Sequence, residues 1–122
     1  VNGSSADTTV ITNGSGNIQT INCGTTVSSG CSGSTITQTV TGDDNIVTQN
    51  LGAGANHTSN ITVTGDTNTI THTSSSTGTT TMNATVTGNL NTVGVTQSGM
   101  TTQNVTINST GNSNTITVNQ SN

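Results

Sequence analysis

The sequence predicts an all-β protein, a two-sheet β-solenoid of five strand-turn-strand repeats stacking in cross-β fashion, and three observations carry that prediction. Thr, Val and Ile fill 52 of the 122 positions, and their branched Cβ suits a pleated surface and disfavours a helix. The pattern G-x-x-N occurs five times, with its glycines spaced 28, 23, 23 and 23 residues apart, the mark of a repeat architecture. Around each motif apolar residues alternate with Thr, Ser and Asn at period two, the pattern of half-buried strands.

Composition narrows the field further. The chain has no Lys, Arg, Pro, Phe, Trp or Tyr and a net charge of −4. Without a cation there is nothing to neutralise phosphate, which argues against nucleic acid and anionic lipid as partners. Apolar runs never exceed two residues, so membrane insertion by a helix is not expected. Leu, Ile and Val total 22 residues, a small core by globular standards, and stability is therefore expected from backbone ladders and stacked identical side chains.

One domain, residues 1–122, is expected to hold five repeats, at about 8–35, 36–58, 59–81, 82–104 and 105–122. In the first, Val10 stands four before Gly14, and Gln19 and Ile21 stand five and seven after it. In the second, Gln38 and Val40 precede Gly42, and Val47 and Gln49 follow. The third places Ile61 and Val63 around Gly65 with Ile70 and His72. The fourth places Ala84 and Val86 around Gly88 with Val93 and Val95. The fifth has Ile107 before Gly111 and Ile116 and Val118 after it. The first interval alone is five residues longer, and it contains Cys23 and Cys31. An even pair in a chain read as secreted predicts a disulfide that holds an enlarged loop. Met82 and Met100 read as filler near the second turn of their repeats.

Each motif combines a turn residue with a stacking residue. Gly14, Gly42, Gly65, Gly88 and Gly111 supply the positive φ of a tight reversal. Asn17, Asn45, Asn68, Asn91 and Asn114 recur at every rung, where each amide would donate to one neighbour and accept from the other, an Asn ladder inside the stack.

On these residues the chain resembles the curlin-type repeat proteins, subunits of curli-like extracellular amyloid fibres. The G-x-x-N core is present in all five units, and Gln97 and Gln120 fall where the family's second Gln belongs. Val40, Val63 and Val86 replace the first Gln, and the aromatic and charged residues of the family are missing. The resemblance implies a functional amyloid, secreted, extracellular or at the cell surface, serving biofilm matrix, adhesion or surface protection, with a nucleating subunit as one further partner.

The ends of the rod point to the same use. Neither terminus carries Pro, a basic gatekeeper or a charged cluster to blunt its open ladder, so the expected partner is the chain itself, joined head to tail. Two alternatives remain open. One is a monomeric surface adhesin or stalk. The other is an ice-binding solenoid built on outward Thr columns such as Thr41, Thr64, Thr87 and Thr110, or Thr69, Thr92 and Thr115, although Thr is spread over all faces.

No enzyme, cofactor or catalytic residue is expected, because Asp7, Asp43, Asp44 and Asp66 are the only carboxylates and His57 and His72 the only imidazoles, too few for a positioned acid–base pair in a thin solenoid. Asp43 and Asp66 share a turn position on adjacent rungs, where calcium could bridge them with Asp44; two solvated turn acids are the simpler reading, and no metal site is assigned. His72 falls at an inward strand position, as a packed or hydrogen-bonded residue. Eight Asn lie in N-x-S/T sequons, close to the chance number for a chain with 47 Ser and Thr. Of these, Asn56, Asn60, Asn83 and Asn104 are candidate N-glycosylation positions, expected near the second turn and the strand starts.

Overall fold

A computed structural model describes residues 6–24, 31–52 and 56–122. Ten strands follow one another: β1 (Asp7–Asn13), β2 (Ile18–Cys23), β3 (Thr35–Thr41), β4 (Ile46–Leu51), β5 (His57–Thr64), β6 (Thr69–Ser74), β7 (Thr80–Thr87), β8 (Thr92–Ser98), β9 (Gln103–Thr110) and β10 (Thr115–Ser121). Odd-numbered strands form one five-stranded sheet in the order β1-β3-β5-β7-β9, and even-numbered strands form the other, from β2 to β10. Every neighbouring pair is parallel. The chain is therefore a β-solenoid whose rung is one odd and one even strand, and the G-x-x-N motif is the arc between them. Strands β5, β7 and β9 open at His57, Thr80 and Gln103, two residues ahead of the repeat starts expected at 59, 82 and 105.

Register follows the repeat. Each residue of β5 faces the residue 23 positions later in β7, and the same offset joins β7 to β9. The offset is 28 between β1 and β3, so the five extra residues are absorbed between β2 and β3, and Cys23, the last residue of β2, is disulfide-bonded to Cys31 with a Cα–Cα distance of 5.3 Å. Residues 25–30 of that enlarged loop lie outside the described residues.

Period-two burial makes the core. Val40, Val63 and Val86 form one inward column, and Val47, Ile70 and Val93 the column opposite; all six are buried. Met82 is buried in the middle of β7, while Met100 is 81% exposed beyond β8. Only Met100 is near a turn, because β7 begins two residues earlier than its repeat was expected to and draws Met82 inside. Three aliphatic side chains break the alternation: Ile11, Ile18 and Ile46 project outward and are 40–55% exposed. Val10, inward by register, is 48% exposed because β1 has a neighbour on one side only.

The arc explains the glycines. Gly14, Gly42, Gly65, Gly88 and Gly111 have φ between 112° and 130°, a region open only to a residue without Cβ. Stacking excludes a side chain as well: a Cβ on Gly42 would sit 2.1 Å from the carbonyl oxygen of Gly65. Two residues on, Gly16, Asp44, Thr67, Leu90 and Ser113 all adopt φ of 55–68°. Gly suits that left-handed position and Asp tolerates it, but Ser113, branched Thr67 and bulky Leu90 are strained there.

Candidate functional site

The five expected ladder residues are brought into one spine. Asn45 Nδ2 donates to Asn17 Oδ1 at 3.0 Å, and the same step repeats from Asn68 to Asn45, Asn91 to Asn68 and Asn114 to Asn91. Each Oδ1 also accepts the backbone N–H of the next rung's Asn, as Asn45 Oδ1 does from Asn68 at 2.9 Å. On Asn17, Asn45, Asn68 and Asn91, Nδ2 also donates forward to the carbonyl of the next turn glycine, from Asn68 to Gly88 at 2.8 Å for example. Asn45, Asn68 and Asn91 are buried, so their polar atoms are satisfied by one another's rungs, as burial requires.

A second, exposed ladder runs beside the first. The residue after each glycine presents an oxygen to the backbone N–H of the preceding rung: Asp43 Oδ1 to Ser15, Asp66 Oδ1 to Asp43, Asn89 Oδ1 to Asp66 and Asn112 Oδ1 to Asn89, all at 2.8–2.9 Å. The sequence carries a signal for it, an oxygen-bearing side chain at every such position. The Ser15 N–H, helped by the Ser15 hydroxyl at 3.1 Å, holds the Asp43 carboxyl below the usual carboxylate range. Asp43 and Asp66 thus spend an oxygen each on the backbone, and no group of three His, Cys, Asp or Glu among the described residues could hold a metal ion.

Both imidazoles are fully buried in the third rung. His57 places Nδ1 2.6 Å from Thr80 Oγ1 and Nε2 3.3 Å from the Gly52 carbonyl. The carbonyl can only accept, so the neutral ring carries its proton on Nε2 and accepts from Thr80 at Nδ1. His72 places Nε2 2.9 Å from Gln97 Oε1 and Nδ1 3.3 Å from Ser59 Oγ. The inward position expected for His72 is where it lies; His57 opens β5, two residues before the repeat start expected at 59.

The candidate glycosylation residues project from the first sheet. Asn60 and Asn83 are mid-strand and half-buried, with Asn60 Nδ2 donating to Asn83 Oδ1 at 3.0 Å. Asn104 is exposed in β9, and Asn56 is exposed just before β5 with φ 58°. Asn60 and Asn83 are thus strand residues away from any turn, placed there by the earlier starts of β5 and β7.

The two ends complete the site. At one end β1 and β2 have unpaired edges; at the other β9 and β10 do. Among the described residues Asn114 Oδ1 accepts no hydrogen bond, although the equivalent atom on every earlier rung accepts two. Beside it an open notch of about 260 Å³ is lined by Asn108, Ser109, Thr110, Asn114, Thr115 and Ile116. The chain matches no protein-family profile, no curated protein and no solved structure.

Proposed function

We propose that this chain is a structural subunit of a secreted extracellular fibre, without catalytic activity, that polymerises head to tail through its open β edges for matrix, adhesion or surface protection. The observation that carries the reading is the continuity of the columns across the ends. If a second copy continued the 23-residue stagger, its β1 and β2 would lie on β9 and β10. Val10 would follow Ile107, Ile21 would follow Val118, and Asn17 would donate to the waiting Asn114 Oδ1. Such a contact joins two different surfaces and propagates instead of closing. Negative-stain microscopy of the purified protein is expected to show unbranched filaments, with a diffraction spacing near 4.8 Å along the axis. Monomeric particles at high concentration after long incubation refute the reading.

One observation favours a second reading, an ice-binding face. The outward positions of β3, β5, β7 and β9 are Thr35, Thr37, Thr39, Thr41; Thr58, Asn60, Thr62, Thr64; Thr81, Asn83, Thr85, Thr87; and Asn104, Thr106, Asn108, Thr110. These uncharged ranks are more regular than the sequence, with Thr on every face, gave reason to expect. Shaping of growing ice crystals that is lost in Thr62→Tyr and kept in Thr71→Tyr, on the other sheet, would support it; unshaped crystals would refute it.

A further inference from the structure

The structure holds a second feature that the fibre reading does not use. Only six side chains in the sequence other than the two cysteines titrate, four Asp and two His, and the cysteines are joined to each other. The acids lie outside the core: Asp43, Asp44 and Asp66 in the exposed arcs and Asp7 exposed at the start of β1. The two His are the side chains whose ordinary titration falls between pH 5 and 8, and both are buried in the same central rung.

We propose that His57 and His72 form an acid-sensitive lock on the central rung, closed when both rings are neutral and loosened by protonation, so that the rungs and edges used for assembly lose stability at mildly acidic pH. The proposal deepens the fibre reading and rests on it for the link to assembly.

Geometry supplies the lock. On each ring one nitrogen donates to an oxygen and the other accepts from a hydroxyl, so the neutral form is fully satisfied. Among the side chains against His57 are Thr80 from β7, on the ring, and Ser34 from the rung before, which accepts the His57 backbone N–H. Around His72 are Ser59 from β5, Gln49 from β4, and Val95 and Gln97 from β8. None is charged, and among the described residues the one titratable group acting on His72 is the His57 imidazole, which itself lowers the proton affinity of His72. Residues 1–5, 25–30 and 53–55 contain no acidic, basic or His side chain. A proton taken up in this rung therefore meets no counter-charge, and a buried unpaired charge is strongly unfavourable.

Burial pushes His57 below its ordinary value and His72 down to about 4. The sign follows from linkage: the unfolded chain binds the proton first. Stability is complete above about pH 6.5, falls as pH drops through the interval down to about 4, and levels off below it. For His72 alone the folded-to-unfolded ratio drops about 30-fold by pH 5 and about 300-fold at the lower limit; His57 adds to this. Protonation of His72 ends the acceptance from Ser59 at Nδ1, while the Nε2 bond that ties the rung to the assembly edge is kept. His72 donates to Gln97 Oε1, and Gln97 Nε2 donates to Gln120 Oε1 at 3.3 Å, on β10, whose outer edge is unpaired.

The test is urea unfolding of the full chain from pH 7.5 to 5, with His57→Gln, His72→Gln and the double variant beside the wild type, and NMR titration of the imidazoles in the folded protein. The expected result is a loss of at least tenfold in the folded-to-unfolded ratio by pH 5, a flatter profile in each variant, and rings that stay neutral well below pH 6.5. A flat wild-type profile, a double variant as steep as the wild type, or rings titrating near 6.5 in the folded state overturns the lock. NMR decides the matter even if a variant does not fold. Filaments at pH 7.5 are scored separately: their absence beside a steep profile refutes the fibre reading and the link to assembly while upholding the lock.

Discussion

Replacing Asn68 by Ala tests the spine at its centre, and its effect can be worked out atom by atom. The Asn91 backbone N–H loses its 2.9 Å acceptor, and the Gly88 carbonyl loses its 2.8 Å donor. Asn91 Nδ2 keeps Gly111 and Asn45 Oδ1 keeps the backbone N–H of residue 68, so those two groups are weakened without being orphaned. Two stranded polar groups at about 1–3 kcal/mol each amount to about 2–6 kcal/mol, a large share of the 5–15 kcal/mol typical of a domain. Asn68→Asp restores an acceptor for Asn91 but sets a carboxylate oxygen against Asn45 Oδ1 and the Gly88 carbonyl, at the 3.0 and 2.8 Å where Nδ2 now donates. Above neutral pH it is expected to be worse than Ala. Thr64→Ser, on an exposed position of the adjacent strand, strands nothing and should stay within about 0.5 kcal/mol. Urea unfolding followed by far-UV circular dichroism reads all three, and assembly kinetics should follow the same order. Asn68→Ala within 1 kcal/mol of wild type, or less harmful than Thr64→Ser, would show that the spine does not set the register.

Three further outcomes are expected. Gln49 is buried with neither amide atom paired among the described residues, while Val95 and Val118 occupy its column on later rungs; Gln49→Val should raise stability by about 1–3 kcal/mol, and a fall in the urea midpoint would refute that account. Leu90 is exposed at φ 60°, so Leu90→Asn should stabilise by about 0.5–1 kcal/mol, since Asn tolerates that conformation better; an unchanged thermal midpoint would count against strain at the arc. Cys23→Ser with Cys31→Ser should lower stability by about 2–3 kcal/mol in the chain-entropy treatment, and labelling of both cysteines by alkylation without reductant would refute the bridge itself.

Stacking identity is what made the fold readable from sequence. Residues that must repeat at every rung, such as Gly65 and Asn68, stand at a fixed interval, and so do the inward columns around Val63 and Ile70. Features not tied to identity were harder to see. The left-handed residue two after each glycine is Gly, Asp, Thr, Leu or Ser, so its shared conformation leaves no common letter. His57 is the first residue of β5, two residues before the repeat start expected at 59, and Gln49 is an inward polar residue with no side-chain hydrogen bond among the described residues. Neither follows from period alone, because an alternating pattern states which side faces in and nothing of what that side can bond.

Burial along the axis completes the case for unlike ends. The inward residues of β1 are half-buried or exposed and those of β2 mostly half-buried; in β9 they are buried and in β10 half-buried again. Exposure is therefore greatest at the first strand of the chain and reappears at the last, as a steadily climbing coil requires. One end presents Val10 and the donors of Asn17, the other Ile116, Val118 and the acceptor of Asn114. Two copies of the same end could not satisfy each other, since each would bring donor to donor or acceptor to acceptor in the spine. Only unlike ends complement one another, and a contact between unlike ends repeats without limit. On the fibre reading, the spine thus gives the filament a direction as well as a register.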